Sequence, residues 1–201
     1  MSLWTCTLFT KLYKAIIRPH LEYAQSVWNP NWKMDINRIE NVQRRATKLV
    51  PGLKDLEYDD RLRKLKLPTL VYRRLRGDLI ECYKMVSGIY DNRVANFLKL
   101  SEHVVDTSVR RRGHGKKLYV KQAKHSTRTS SFAYRVNDTW NNLPAEVVNA
   151  PSVNSFKNRL DSHWSEEDIM YDFTKSLNKF ESREQNLGFL NPLGIIKSHR
   201  E

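Results

Sequence analysis

Apolar residues recur at three- and four-residue spacing in block after block of this sequence, and most blocks close on proline, glycine or asparagine. That pattern puts one apolar stripe on each of several helices and leaves no long alternating stretch for a sheet, so a mainly α fold is expected. In 8–28, Leu8, Leu12, Ala15 and Ile16 share a face, and Leu21, Ala24, Val27 and Trp28 carry it past Pro19. Pro19 lacks an amide proton and crowds the preceding turn, so this helix must kink or restart. Asn29-Pro30-Asn31 ends it. In 33–50, Ile36, Ile39, Val42, Ala46 and Leu49 form the stripe, Arg38, Arg45 and Lys48 fall on another face, and Pro51-Gly52 closes the helix.

A short helix fits 58–66. Leu67-Pro68-Thr69 separates it from a longer one over 69–88, where Tyr72, Leu75, Leu79, Cys82 and Val86 repeat and Gly88 suits the C-terminal cap. Residues 101–129 are polar and basic without helical periodicity; the LYV at 118–120 has the character of a short strand, so a loop or small hairpin is expected there. Phe132, Val136 and Trp140 lie four apart in a helix over 130–142. Val153, Phe156, Leu160 and Trp164 share a face over 152–164, with Ser152 as N-cap after Pro151. LPAEVVNAPS between them is a turn-rich link, and 165–201 has no sustained stripe and is expected to fray as a tail. The expected organisation is a small helical bundle over 1–100, a basic linker or short hairpin over 101–129, a helical pair over 130–164 and that tail.

Charge narrows the partners. The 201 residues carry Lys+Arg 35 against Asp+Glu 22, a net +13. Residues 165–201 hold 7 acids and 5 bases, which leaves 30 bases and 15 acids in 1–164. Such an excess points to a polyanion, with nucleic acid first and an anionic membrane second, or else to a merely basic surface. Cys6 and Cys82 match no metal-ligand or disulfide spacing, so an intracellular compartment, cytoplasm or nucleus, is expected. Lys11 and Lys14 break the apolar N-terminal stretch, which excludes a signal peptide, and no run is long enough to span a bilayer.

The tripeptide Tyr58-Asp59-Asp60 invites a polymerase reading, because paired aspartates at a hairpin tip hold two metal ions in nucleotide transfer. A hairpin needs apolar or β-branched flanks, and GLKDLE and RLRKLKLP supply none. Asp59 and Asp60 fit the first turn of a helix, where acids meet the positive end of the dipole. His20, His103, His114, His125, His163 and His199 form no metal-binding motif, and no phosphate-loop or nucleophile-elbow pattern occurs. Gly113-His114-Gly115 is too short to cradle a phosphate. No catalytic residue, metal, cofactor or small-molecule substrate is expected.

Several blocks together carry a resemblance. LYKAIIRPHLEYAQSVWNP (12–30), DINRIENVQRRATKLVPGLKDLEYDDRLRKLKLPTLVYRRLRGDLIECYKMVSG (35–88), FAYRVNDTWNNLP (132–144) and APSVNSFKNRLDSHW (150–164) resemble, in order, the region after the catalytic palm in reverse transcriptases of non-LTR (LINE-type) retrotransposons of the jockey and chicken-repeat clades. The resemblance implies a thumb-like bundle and a post-thumb region of an RNA-directed DNA polymerase. The catalytic Tyr-x-Asp-Asp hairpin would lie upstream of Leu12, and LEYDDRL would not be the active site. On its own the chain would then be no enzyme, and RNA or an RNA–DNA duplex is the implied partner. A helical protein-interaction module or an inert element remnant is the alternative.

A thumb lays basic helix residues on phosphates. Candidates are Arg44, Arg45 and Lys48 in QRRATK and Arg73, Arg74 and Arg76 in YRRLR; the competing assignment is a solvated face or pairing with Asp78 and Glu81. The stretch 110–128 adds Arg110, Arg111, Arg112, Lys116, Lys117, Lys121, Lys124 and Arg128 with no acid between them, so it cannot neutralise itself. Tyr119 and Trp140 are possible base-stacking rings, although Trp140 also lies on an apolar stripe that suits a core.

Overall fold

The computed structural model describes residues 3–30, 32–91, 98–101, 113–119, 128, 130–165 and 167–175. It is mainly helical, as the spacing predicts. In chain order it runs α1 (Leu3–Leu12), a π-helical turn (Tyr13–Ile17), α2 (Arg18–Glu22), α3 (Gln25–Trp28), α4 (Lys33–Lys48), α5 (Tyr58–Leu65), α6 (Leu70–Val86), β1 (Lys99–Leu100), β2 (Leu118–Tyr119), α7 (Phe132–Asn141), α8 (Ala145–Val148), α9 (Val153–His163) and a 3-10 turn (Asp168–Met170). Among the described residues, no helix is long and apolar enough to cross a membrane.

Pro19 acts one turn early. The helix ahead of it widens, and the Arg18 amide bonds back five residues to Tyr13 O, which passes the chain into α2 without the proton that proline lacks. The expected stripe of Leu8, Leu12 and Ile16 lies exposed, as do Val27 and, more narrowly, Trp28. Cys6, Phe9, Tyr13 and Ile17 face inward in its place. Phe9 and Tyr13 stack with ring centroids 5.9 Å apart, and the Tyr13 hydroxyl donates to Gln43 Oε1 at 2.6 Å. Two apolar faces compete on this helix, and the aromatic one buries more area and satisfies its hydroxyl.

α4 departs from expectation for a related reason. Val42 and Leu49 are exposed, while Glu40, Gln43, Ala46 and Thr47 are buried. Both Glu40 carboxylate oxygens accept from the Leu70 amide, at 3.2 and 3.1 Å, and Oε1 also accepts from the Tyr58 hydroxyl at 2.6 Å. Gln43 Nε2 donates to Tyr58 Oη (3.1 Å) and Pro68 O (3.0 Å). A buried carboxylate thus serves the open amide at the start of α6, where the helix dipole favours negative charge. Burial still pushes the Glu40 carboxyl above its usual range, with the Tyr58 and Leu70 bonds opposing.

α5 begins with Tyr58, Asp59 and Asp60 in its first turn, as expected. It ends on Lys66 at φ +50, with Lys66 N–H on Arg63 O and Leu67 N–H on Leu62 O, and buries Leu62 and Leu67 across that turn. α6 starts at Thr69, whose hydroxyl accepts from the Tyr72 amide at 3.1 Å. It stops at Gly88, φ +69, through the paired bonds Ile89 N–H to Lys84 O and Gly88 N–H to Met85 O.

Two apolar clusters organise the chain. The smaller gathers Tyr13, Ala46, Val50, Leu53, Tyr58, Leu62, Leu65 and Leu67 from the N-terminal helices. The larger joins α6 to the C-terminal helices: Tyr72, Leu79 and Tyr83 pack with Val136, Trp140, Phe156, Leu160 and Trp164. Tyr83 stacks on Phe156 (4.4 Å) and donates to Ala150 O (2.6 Å), and Tyr72 meets Trp164 edge-on. The stripes of α6, α7 and α9 lie where the spacing puts them, and Ser152 caps α9 through the Ser155 amide. The apolar face of α6 packs with 132–169, and its other sides meet α2, α3 and α4.

Three expectations need correction. The link LPAEVVNAPS contains α8, which buries Val147 and Val148. The strand at 118 pairs not within 101–129 but antiparallel with β1, Lys99 opposite Tyr119 and Leu100 opposite Leu118. The start of the supposed tail is built in: Ile169 is buried, Thr69 donates from its amide to Met170 O (2.8 Å) and from its hydroxyl to Ile169 O (2.7 Å), and Tyr171 and Phe173 pack on the smaller cluster. Residues 176–201 lie outside the described residues.

Candidate nucleic-acid interface

Two arginines of α6 are ion-paired and the third is buried. Arg73 forks onto both Glu22 oxygens of α2, with Nη2 at 2.9 Å from Oε2, and Arg76 forks onto Asp161 of α9 at 2.5 and 2.7 Å. Arg74 is only 2% exposed, and Glu40, Asp78 and Glu22 partly offset the burial that lowers its pKa. No phosphate reaches Arg74, and both of its neighbours spend their planar forks on carboxylates. Arg73 and Arg76 are therefore paired, with Glu22 and Asp161 as their acids, while Arg74 is buried near Glu40 and Asp78.

Asp78 instead takes Arg135 of α7, at 2.7 and 3.2 Å. The same guanidinium donates to Ser26 O (2.6 Å), Gln25 O (3.3 Å) and Ser130 O (3.2 Å), and Asn29 Nδ2 reaches Asp78 at 3.4 Å. This clamp holds α3 against α6 at Gly77, where a Cβ would sit 1.6 Å from Gln25 Nε2. Glu81 pairs with Lys84 and accepts from the Tyr90 hydroxyl.

On α4 the cations differ. Arg45 and Lys48 are exposed and make no ion pair among the described residues. Arg44 is half-buried: it lies over the rings of Tyr58 (5.0 Å) and Phe173 (5.1 Å) and donates to Asn41 Oδ1 at 2.7 Å. The cleft beside it balances Arg44, Lys48, Lys54 and Arg61 against Asp55, Glu57, Asp59 and Asp172, so its floor offers no net charge. Burial and then Asp172 push the Asp59 carboxyl upward. Among the described residues, no group of three metal-binding side chains occurs.

The basic stretch has an anchor. His114 is buried, with Nε2 3.0 Å from Trp140 O and its ring edge-on to the indole. Trp140 Nε1 donates to Lys116 O at 2.8 Å, which puts this ring in the core and away from any base. Asn141 clamps the Leu118 backbone, accepting from its amide (2.8 Å) and donating to its carbonyl (3.0 Å). Gly113 turns into this anchor at φ +103. Lys116 and Lys117 are half-buried on it, Tyr119 is partly exposed, and Arg128 lies over the Tyr134 ring at 5.8 Å. Arg110, Arg111, Arg112, Lys121 and Lys124 lie outside the described residues.

Sequence reasoning missed the Glu40–Gln43–Tyr58 network, the Arg135 clamp and the His114–Asn141 anchor. Each joins polar residues far apart in the chain, and no local spacing marks them. Comparison of the chain with protein-family models, with curated proteins and with solved structures gave no match.

Proposed function

We propose that this chain binds nucleic acid without regard to base sequence, as the thumb and post-thumb portion of a reverse transcriptase of the non-LTR retrotransposon kind that its sequence blocks resemble. The observation that carries the reading is the anchored basic stretch. Residues 110–128 carry eight cations and no acid in the sequence, and within them 114–118 is fixed to α7 through His114, Trp140 and Asn141. Lys116 and Lys117, half-buried on that anchor, are held beside the folded core, so phosphates meet them with less ordering of the chain. Arg45 and Lys48 on α4 are the described cations best suited to a second phosphate strip. RNA or an RNA–DNA duplex is the proposed ligand, in the cytoplasm or nucleus, and the chain alone extends no primer.

Fluorescence anisotropy with RNA–DNA duplexes of unrelated sequence tests this. Comparable affinities that weaken together as salt rises are expected; a strong preference for one sequence, or no binding at low salt, contradicts it. A second reading, a helical protein-interaction module, draws on the exposed Leu8, Leu12 and Ile16 of the first helical segment. It is favoured if the chain ignores nucleic acid and Leu12→Asp abolishes capture of a protein partner.

A further inference from the structure

We propose that Tyr23, Trp28 and Trp32 form a platform on which unpaired bases of a single nucleic-acid strand stack. The proposal rests on the nucleic-acid reading above and assigns it a second, chemically distinct contact. Tyr23 is 78% and Trp32 75% exposed, with Val27 and Met34 also open to solvent. So many large apolar side chains within a dozen residues of a soluble surface mark a contact region.

The turn and helix that carry Tyr23 and Trp28 are fixed by their neighbours. Ala24 at φ +49, a costly conformation for a residue with a Cβ, makes the turn between α2 and α3 beside Tyr23. Trp28 Nε1 donates to Tyr23 O, which ties that indole to the turn. Arg135 holds the Gln25 and Ser26 carbonyls, and Asn29 is tied to Asp78. On such a support Tyr23 and Trp28 lose little freedom when a flat partner covers them.

Charge selects the partner. Glu22 is taken up by Arg73 and Arg18, and Asp35 pairs with Arg38 at 3.2 Å. Lys33, exposed beside Trp32, makes no ion pair among the described residues. A ligand that offers flat π-faces and negative charge together satisfies both features, and an unpaired strand does so. A duplex hides its base faces and meets only the cations.

The test uses the full chain with oligothymidine and with a duplex of equal length, for the parent, Tyr23→Ala, Trp32→Ala and Trp32→Phe. Each ring removed is expected to weaken oligothymidine binding by about fivefold to a hundredfold, the size of one lost base–aromatic stack, with duplex binding unchanged. Trp32→Phe retains most of the affinity, and oligothymidine quenches less tryptophan fluorescence in Trp32→Ala than in the parent. Both rings are largely exposed, so the helical signal stays intact. If the parent binds both ligands and the variants match it, the platform is refuted while the nucleic-acid reading stands. If the parent binds neither, both fall. Trp32-dependent binding to phosphatidylserine vesicles without any effect on oligothymidine overturns the proposal in favour of a membrane surface.

Discussion

Arg135→Ala is the substitution the packing makes most consequential. Its guanidinium holds the Asp78 carboxylate at 2.7 and 3.2 Å and also bonds the carbonyls of Ser26, Gln25 and Ser130. The Asp78 side chain is 2% exposed, so the substitution strands a buried charge. Removing one partner of such a pair costs about 3–5 kcal/mol, a large share of the roughly 5–15 kcal/mol that holds a domain of ordinary stability. Urea unfolding followed by circular dichroism reads the loss as a lower midpoint at unchanged slope.

The pH dependence has a definite sign. Burial raises the Asp78 carboxyl above its usual 3.8, with Arg135 the main opposing influence. A raised folded-state value means that folding favours the protonated form, so this group's contribution is fullest at acid pH and falls as pH rises through the folded value. Without Arg135 that value climbs further. The defect of Arg135→Ala is therefore full at neutral pH and shrinks on acidification, and adding Asp78→Asn recovers part of it at neutral pH. A loss under about 1 kcal/mol, far below the buried-pair range, or a loss equal at all pH values, refutes the reasoning.

Two further outcomes follow from the buried groups. Burial lowers the His114 pKa from its usual 6.5, so the folded state favours the neutral ring; stability is present above 6.5 and is lost as pH falls toward the folded value, and His114→Gln flattens that stretch of the stability–pH curve. Asp60→Ala, in the first turn of α5, costs about 0.3–1 kcal/mol in urea unfolding, whereas Asp59→Ala costs less than that because burial and Asp172 already disfavour its charge.

The helices that proved legible each carry one dominant stripe. In α9, Phe156, Leu160 and Trp164 have no rival face, and Ser152 marks the start. The first helical segment and α4 each offered two faces, and the choice fell to partners elsewhere: Gln43 for Tyr13, and the Leu70 amide for Glu40. The ion pairs of Arg73 and Arg76 were not legible because their acids stand 51 and 85 residues away in sequence, beyond any local pairing rule. The 168–173 segment packs through Ile169, Tyr171 and Phe173, a set too irregular to register as a stripe. The density of cations at 110–128 was legible; its anchor was not, because Asn141 and His114 act by tertiary contact.

The central claim, that the anchored basic stretch grips phosphates, is tested most directly by salt. Arg110→Ala, Arg111→Ala and Arg112→Ala together should weaken duplex binding alike for all base sequences. Each lost phosphate contact removes about 0.7–0.9 from the slope of log K against log salt, so the triple variant should flatten it by about 2–3. Parallel lines for parent and variant, with the helical signal intact in both, would contradict the account.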